Sequence, residues 1–437
     1  MARTRDFLPA LMTKSASGIY IPLSAAHRKR RELFDLYWRY YRGHHRKTIK
    51  VKPGQADDNV TLNWAKKIVN VGVGFLFGKP VTFEIRDEDE RSDAETYLDG
   101  IWANDPKTGF NAPVFLKRLA QNGAVNGTAF IRLHEPDDYH ELPYLRAIDP
   151  AIVDIITDPN DVETVIAYHL VWKPGKDEDW QRQRIERDGM IWRIFEESYQ
   201  HGWDTYNELA WEYDFPPVFH CQNLILANSQ WGISDLEDAD LNDAVNFTAS
   251  NINRTIRFFA HPKTIITGSN VNSLQTTGVD QLWALPSADA KVFNLEMESD
   301  LASSRLHKQD LTEALHQVAD MPRLDPERVN LGALSGFALK ILYGPLLMKT
   351  NDKRGTYGGM LQQVNRALLV LGGYEDEIVE NIWQDPLPGN ALEQAQLFST
   401  LAGATGGNTQ AAAKIAGYAR DEVDELGQGD FFMGVEQ

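Results

Sequence analysis

Few residues of this chain have the types and the spacing that covalent chemistry requires. The segment Gly332-Ala-Leu-Ser335-Gly336 misses by one position the Gly-x-Ser-x-Gly turn that presents a nucleophilic serine, and no predicted strand precedes it. The segment Gly355-Thr-Tyr-Gly-Gly359 resembles a phosphate-binding loop only in its glycine content. The chain contains no Walker A sequence, no His-Glu-x-x-His motif and no Cys/His metal pattern. The sequence therefore predicts a protein that is not an enzyme and that binds no metal or cofactor.

Three other groups of residues favour structural roles. His44-His45 could ligate a metal, but at the end of a basic helix a solvated position is the better interpretation. Asp57-Asp58 is interpreted as an exposed turn. The 11 tryptophans are expected to anchor the core and subunit contacts rather than to bind a cofactor.

The composition indicates an ordered protein that does not enter membranes. Hydrophobic residues make up 43% of the 437 positions and aromatic residues 10%, which disfavours disorder. The single cysteine, Cys221, excludes an internal disulfide framework. No apolar run approaches the roughly 20 residues of a membrane span, and the N-terminus lacks the apolar region of a signal peptide. We therefore expect synthesis in the cytoplasm and no membrane contact.

The charge of the chain is distributed unevenly along it. The net charge is −18, yet residues 1–53 hold 13 Lys/Arg against 3 Asp/Glu, which leaves 31 against 59 in the remainder. Such an acidic protein is not an ordinary duplex-DNA binder, because phosphate contacts need lysine and arginine. The basic segment is interpreted either as a solvated tail or as an arm that contacts an acidic partner or nucleic acid.

The strongest element pattern lies between Ser234 and Lys340. A long helix is predicted over Asp235–Ala260, and its narrow apolar stripe is formed by Leu241, Val245, Thr248, Ile252, Ile256 and Phe259. A second helix is predicted from Ser299 to about Asp320, where Met321-Pro322 ends it. Two β-like runs, Lys263–Thr267 and Lys291–Leu295, lie between these helices. Because so narrow a stripe stabilises no lone helix, both helices must pack against neighbours.

The rest of the chain alternates between predicted helices and short strands. A basic helix over Leu23–His45 is expected to bury Leu33, Phe34, Leu36, Tyr37, Tyr40 and Tyr41. Further helices are predicted at 62–77, 95–102, 112–126, 391–401 and 409–426, and strands at 81–86, 129–133, 144–148, 153–157, 165–172, 190–196, 218–221 and 377–383. A helix that follows Gly336 should be interrupted at Gly344-Pro345. The pattern predicts an α+β fold.

Short motifs along this framework resemble those of one protein family. The most recognisable is Ser335-Gly-Phe-Ala-Leu-Lys340. Others, in chain order, are Tyr40-Tyr-Arg-Gly-His44, Asn63-Trp-Ala-Lys-Lys-Ile-Val-Asn70, Phe75-Leu-Phe-Gly-Lys-Pro-Val81, Asn126-Gly-Thr-Ala-Phe130, Ile148-Asp-Pro150, Pro216-Pro-Val218 and Asn381-Ile-Trp-Gln-Asp-Pro386. Each motif is weak alone, but their shared order closely resembles tailed-bacteriophage portal proteins, the family typified by the portals of Bacillus siphophages.

The resemblance implies the portal architecture: an α/β wing, a stem of two long helices, a small β-containing clip, a tunnel loop with a long channel helix, and a short helical crown. The implied regions are an N-terminal basic arm and helix (1–60), the first part of the wing (61–233), stem helix 1 (234–260), the clip (261–298), stem helix 2 (299–321), the tunnel loop (322–334), the channel helix with the second part of the wing (335–388) and the crown (389–437).

The resemblance also implies a function and the residues that carry it. A portal forms a ring at one capsid vertex, through which a separate terminase motor drives DNA. Residues expected at the DNA channel and tunnel loop are Arg323, Asp325, Glu327, Arg328, Asn330, Ser335 and Lys340. Residues expected on the clip, where terminase and the head–tail adaptor dock, are Lys263, Asn270, Asn272, Gln275, Asp280 and Trp283.

The partners implied are further copies of the chain in a homo-oligomeric ring, expected to be a dodecamer, together with double-stranded DNA in transit, the terminase large subunit, a head–tail adaptor, and the major capsid and scaffolding proteins. The expected location is the virion, after assembly in the host cytoplasm. An alternative keeps the same helices without a channel, as an acidic scaffold or adaptor of a large assembly. A nuclease or ATPase of unfamiliar type has no residue support.

Overall fold

The structure, a computed structural model, falls into two compact units. The first comprises residues 1–44, 64–239 and 317–437, and the second comprises residues 45–63 and 240–316. The described residues are 13–14, 20–21, 23–47, 49–51, 53, 57–86, 92–103, 105, 107, 109–175, 177–260, 263–267, 291–295, 301–322, 336–375, 377–387 and 399–404. Helices and strands both contribute, so the α+β prediction is confirmed at the level of a mixed fold.

The elements follow the chain in this order. The helices are α1 (Ala25–Tyr41), α2 (Trp64–Phe77), α3 (Asp93–Trp102), α4 (Ala112–Asn126), α5 (Asp240–Ala260), α6 (Leu301–Val318), α7 (Gly336–Leu342) and α8 (Gly344–Gly372). The strands are β1 (Thr13–Lys14), β2 (Tyr20–Ile21), β3 (Val81–Ile85), β4 (Thr128–His134), β5 (Tyr144–Ile148), β6 (Val153–Asp158), β7 (Asp161–Trp172), β8 (Trp180–Asp188), β9 (Ile191–Tyr199), β10 (Trp203–Trp211), β11 (Val218–Gln222), β12 (Lys263–Thr267), β13 (Lys291–Leu295) and β14 (Val379–Trp383).

Within its described residues, the first unit contains the short β1–β2 pair and three larger antiparallel sheets, and these three share the main apolar core. The largest has the strand order β10-β9-β8-β7-β6, the second has the order β11-β4-β5, and β14 pairs with β3. The core joins these sheets to α3, α4 and α8, and its fully buried members include Leu119, Ile131, Ile185 and Leu361. Helix α8 therefore lies in the centre of this unit, with apolar contacts along much of its length.

Local sequence explains where the helices of the first unit begin and end. Ser92 caps α3 by accepting a hydrogen bond from the Glu95 amide, and Asn111 caps α4 in the same way. Helix α4 ends at Gly127, which has φ +86°, and a Cβ there would lie 2.4 Å from the Gly232 carbonyl oxygen. Only glycine fits this position, because the backbone is left-handed and the loop that contains Gly232 approaches closely.

The second unit holds an extended segment along one polar face of α5. The Val60 amide donates to Ser250 Oγ at 2.9 Å, and the Leu62 amide donates to Asn246 Oδ1 at 2.8 Å. Asn242 Nδ2 returns a bond to the Leu62 carbonyl at 2.8 Å. These α5 side chains recur every four residues, so they satisfy the backbone of a segment that forms no sheet.

Two expectations about polar side chains in this unit are wrong. Asp58 is only 5% exposed and forms an ion pair with Arg257 at 2.6 Å, so Asp57-Asp58 is not simply an exposed turn. The His45 side chain is 1% exposed, with Nε2 3.4 Å from Asn63 Oδ1 and Nδ1 3.8 Å from Asp243. Burial lowers the pKa of His45, so it is packed as a neutral group rather than solvated.

Most predicted elements that fall on described residues are present, with three instructive differences, whereas the predicted helix at 409–426 and most of the one at 391–401 lie outside the described residues. Helix α5 begins at Asp240 rather than Asp235, because residues 235–239 form turns. Strands β8 and β10 were not expected from the sequence. Leu33 and Leu36 are 42% and 41% exposed, whereas Phe34 of the same helix is buried. The expectation that Leu33 and Leu36 belong to the buried face of α1 is therefore wrong.

Candidate functional site

The residues predicted for the DNA channel lie mostly outside the described part of the chain. Arg323, Asp325, Glu327, Arg328, Asn330 and Ser335 all fall between Pro322 and Gly336, where no residue is described. Lys340 is described: it lies on α7, is exposed, and its Nζ is 3.2 Å from Asp385 Oδ2. The structure therefore gives the two ends of the predicted tunnel loop and the helices that hold them.

The predicted clip is described only at its base. Lys263 begins β12 and pairs with Leu295 of β13, and the ladder runs to Thr267 opposite Lys291. Asn270, Asn272, Gln275, Asp280 and Trp283 lie outside the described residues. The two β-like runs are thus confirmed as an antiparallel pair that closes the loop between them.

A largely buried cluster of charged and polar side chains includes residues just before α5, just after α6 and on α8. We call it the junction cluster: Asn223, Asp235, Asp320, Lys349 and Lys353. Lys353 Nζ donates to Asp235 Oδ2 at 2.6 Å, and these two side chains are 3% and 1% exposed. Lys349 Nζ lies 3.5 Å from Asp235 and 3.7 Å from Asp320.

The cluster satisfies each of its buried charges. Burial alone would raise the pKa of Asp235, but the ammonium groups of Lys353 and Lys349 outweigh it and hold that pKa below its ordinary value. Asn223 Nδ2 donates to Asp235 Oδ1 at 3.3 Å, and Tyr357 Oη donates to Asn223 Oδ1 at 3.3 Å. Paired charges with these further hydrogen bonds fix one arrangement of the chain segments that carry them.

The junction cluster positions the residues that precede the predicted tunnel loop. Lys349 Nζ also donates to the Ala319 carbonyl at 3.4 Å, just beyond the end of α6. Asp320 has φ +57°, a left-handed conformation that turns the chain after the helix. At the other end, Tyr343 separates α7 from α8 and stacks on Phe75 at 5.6 Å. The described residues on either side of the predicted loop therefore make contacts within the first unit.

A cleft of about 770 Å³ beside α8 offers no reactive group among its lining residues. His220 bonds Tyr168 and Gln230 through its two ring nitrogens at 2.9 Å each, and burial lowers its pKa to about 4. Burial raises the pKa of the Cys221 thiol, so the nucleophilic thiolate is not formed near neutral pH. Both side chains pack rather than react.

The glycine-rich motif noted in the sequence also has a structural role. Gly355-Thr-Tyr-Gly-Gly359 lies inside α8 and forms no loop. Within the ranges that the structure describes, no group of His, Cys, Asp and Glu side chains could hold a metal ion. Over the same ranges, no helix combines the length and the apolar character of a membrane span.

Sequence reasoning missed the junction cluster. Its members come from four places in the chain, and Asp235 and Lys353 are 118 positions apart. One signal was available, because Lys349 and Lys353 are four residues apart in a helix that is otherwise largely buried. Lysines at that spacing share a helix face, and on a buried helix they need a common anionic partner.

Comparisons with known proteins agree with this framework. The family model described as phage portal protein, SPP1 Gp6-like, matches residues 22–428. A chain in the virion of a native gene transfer agent particle is similar over 88% of this chain and 93% of its own length, with a TM-score of 0.50 and 12% identity. A chain in the neck of an empty particle of the same kind matches over 81% and 90%, with a TM-score of 0.49 and 13% identity. No curated protein matches. The family match covers most of the sequence, and the chain therefore belongs to the phage portal protein family, whose members form the portal at a capsid vertex.

Proposed function

We propose that copies of this chain form a closed ring at one capsid vertex, with an axial channel through which DNA is packaged and ejected. The family match over residues 22–428 carries this proposal. Family membership also argues for a structural rather than an enzymatic role. The junction cluster supports it, because it ties the residues that precede the predicted tunnel loop to α8. A closed ring would bury the exposed apolar residues of α5 and α6, such as Phe247 and Leu306, against neighbouring copies.

The regions inferred from the resemblance follow from the same proposal. Helices α5 and α6 would form the stem, the β12–β13 pair the base of the clip, residues 322–334 the tunnel loop and α8 the channel helix with part of the wing. The crown would follow residue 388. Terminase and then the head–tail adaptor would dock on the clip, capsid and scaffolding proteins would surround the ring, and assembly would take place in the host cytoplasm.

The purified chain is expected to assemble into rings with an axial hole. The reason is that the long helices expose apolar side chains that a lone subunit cannot bury. Negative-stain electron microscopy and sedimentation at micromolar concentration measure this. The subunit number is expected to be about twelve by the resemblance, but ring formation decides the proposal. A stable monomer, or a solid assembly without a hole, would favour the scaffold or adaptor alternative.

Replacing both Arg323 and Arg328 by glutamate is expected to reduce DNA retention in particles several-fold while rings and procapsids still form. These arginines flank Asp325 and Glu327, so the wild-type loop has near-zero net charge and can touch phosphates without holding them. Screening limits each exposed charge to about 10 Å at 0.1 M salt, so only groups at a constriction influence passing DNA.

The DNA content of purified particles measures this effect. Arg118 and Arg187, exposed arginines of the first unit, give a matched control when both are replaced by glutamate. Unchanged DNA content in the tunnel-loop variant would remove residues 322–334 from the channel wall.

A further inference from the structure

Two arginines face each other across the β4–β5 ladder, and neither forms an ion pair with an acidic side chain of the described residues. Arg132 pairs directly with Arg146 in the antiparallel register. Like charges opposite each other in a sheet repel, so the pair calls for an anionic partner. Arg132 is 8% exposed, and its Nη1 has no hydrogen-bond partner. Arg146 is exposed, with its guanidinium 5.3 Å from the centre of the Tyr144 ring.

The nearest carboxylates do not fill this role. Glu196 acts on Arg132 only at a distance, and it already accepts hydrogen bonds from Asn207 at 3.0 Å and Gln183 at 3.4 Å. Asp137 accepts from Tyr144 Oη at 3.0 Å and lies 2.8 Å from His140 Nδ1. The Arg132 guanidinium is too buried to bind an outside partner, but its charge adds to that of the exposed Arg146, which a carboxylate from outside can reach.

Stacked aromatic side chains lie beside the two arginines. Tyr144 stacks on His134 at 4.6 Å and on His140 at 3.8 Å, so the wall beside Arg146 is held rigid. Burial and then the charges of Arg132 and Arg146 lower the pKa of His134 to about 4. His134 is therefore neutral near pH 7, so the positive charge here comes from the two arginines.

The loop between β4 and β5 adds apolar and acidic groups around this pair. Tyr139 is 87% exposed and Leu142 is 38% exposed. We call Arg132, Tyr139, Leu142 and Arg146 the hairpin patch. Exposed acids of the same loop border it, namely Glu135, Asp138 and Glu141. Tyrosine and arginine beside apolar residues are typical of protein–protein contacts. The acidic border would repel a DNA backbone, so a protein partner fits better than a phosphate.

One surface of the same chain has the complementary pattern. Helix α1 exposes Lys29, Glu32, Leu33, Leu36 and Arg39 at three- and four-residue steps, and we call this set the α1 stripe. The exposed Asp35 lies beside Glu32 on the same face, so the stripe presents two acids between two bases, beside two leucines that are 42% and 41% exposed. The hairpin patch presents cations within an acidic border, beside Tyr139 and Leu142.

We propose that the α1 stripe of one copy docks on the hairpin patch of the next, with the Glu32 carboxylate on the exposed Arg146 guanidinium, above the buried charge of Arg132. Leu33 and Leu36 cover Tyr139 and Leu142, and the basic ends of the stripe meet the acidic border. The two surfaces differ, so the contact is heterologous and propagates from copy to copy until a ring closes. This inference rests on the proposed ring and names the surfaces that join its subunits.

A charge-swap experiment tests the contact. Glu32→Arg and Arg146→Glu are each expected to weaken assembly at least about ten-fold at equal protein concentration, because each leaves like charges in contact. The double variant restores the pair with reversed sign and is expected to assemble like wild type. Arg132 is left unchanged because it is buried. Glu212→Arg and Arg118→Glu, at exposed positions elsewhere in the first unit, are the matched controls and should assemble normally.

A direct measurement complements the swap. Leu36→Cys combined with Tyr139→Cys is expected to give disulfide-linked multimers under mild oxidation, whereas Leu36→Cys combined with Val114→Cys should not, although Val114 is also exposed. The native Cys221 is buried and does not compete.

The outcomes separate this inference from the ring itself. Rings that form normally in both single charge variants would overturn the contact and leave the ring standing. Impaired single variants without rescue in the double variant would also overturn it. Normal rings with reduced DNA content in Arg146→Glu would assign the pair to a phosphate instead. A wild-type protein that stays monomeric would overturn both proposals.

Discussion

Replacing Lys353 by methionine is expected to lower the free energy of unfolding by about 3 kcal/mol. Removing one partner of a buried ion pair costs about this much, because the other partner is left as an uncompensated buried charge. Lys353 lies 2.6 Å from Asp235, and both side chains are at most 3% exposed. The variant keeps the volume but leaves the carboxylate with Lys349 at 3.5 Å as its remaining cation. Thermal and urea denaturation of the purified protein measure the loss.

Two further variants make this test specific. Lys340→Met removes the same charge from the exposed pair with Asp385, and it is expected to cost no more than about 1 kcal/mol. Asp235→Leu combined with Lys353→Met removes both buried charges and should recover part of the loss. If Lys353→Met and Lys340→Met were equally mild, the junction cluster would not be an energetic centre of the fold.

The pH dependence of stability provides an independent test of the role of this ion pair. In the wild type the pKa of Asp235 is held below its ordinary value, so its contribution is present above about pH 4 and is lost as pH falls through the folded pKa. In Lys353→Met the main cation is gone and burial favours the protonated acid, so stability falls as pH rises. The difference between the two proteins should therefore grow from pH 4 to pH 7.

Local patterns were enough to predict most helices. The apolar steps in α5 and the Pro322 and Gly344-Pro345 interruptions gave elements close to those observed. The start of α5 was wrong because distant contacts override local propensity there. The Asp235 amide donates to the Ala124 carbonyl at 2.9 Å while its carboxylate binds Lys353, and these bonds hold residues 235–239 in turns.

The strands that were not predicted, β8 and β10, show a different limit of sequence-based prediction. Strand β8 has the sequence Trp-Gln-Arg-Gln-Arg-Ile-Glu-Arg-Asp, and only Ile185 in its middle is fully buried. Its arginines instead pair with β9: Arg184 Nε donates to Glu197 at 3.1 Å, and Glu197 is 3% exposed. A sheet face covered by cross-strand ion pairs carries no alternation of apolar and polar residues, so period-two reasoning does not detect it.

The two leucines of α1 show why amphipathic patterns mislead at interfaces. Leu33 and Leu36 belong to an apolar set that the helix pattern assigns to one buried face, yet they are exposed whereas Phe34 is buried. The six apolar residues of this set are spread around the helix and cannot all face one core. Surplus apolar residues on a second face indicate a second packing partner, which is the basis of the docking surface proposed above.

Deleting residues 268–286 is expected to leave rings intact and to abolish DNA packaging almost completely. Thr267 pairs with Lys291 at the end of the β12–β13 ladder, so the deletion leaves residues 287–290 as a four-residue loop between the strands. Four-residue loops are common hairpin connections, and the ladder below should therefore persist. The deleted segment contains the predicted contact residues Asn270, Asn272, Gln275, Asp280 and Trp283.

Packaging is lost in this variant because terminase, as proposed, engages the clip rather than the wing. The measurement is the fraction of DNA-filled heads, with ring assembly followed by electron microscopy in parallel. Deleting residues 174–178, the loop that joins β7 to β8, removes a surface loop of the first unit and should leave packaging unchanged. Filled heads at the wild-type level in the 268–286 deletion would place the terminase contact elsewhere on the ring. Failure of rings to assemble would instead show that residues 268–286 join subunits, which the proposed α1 contact does not require.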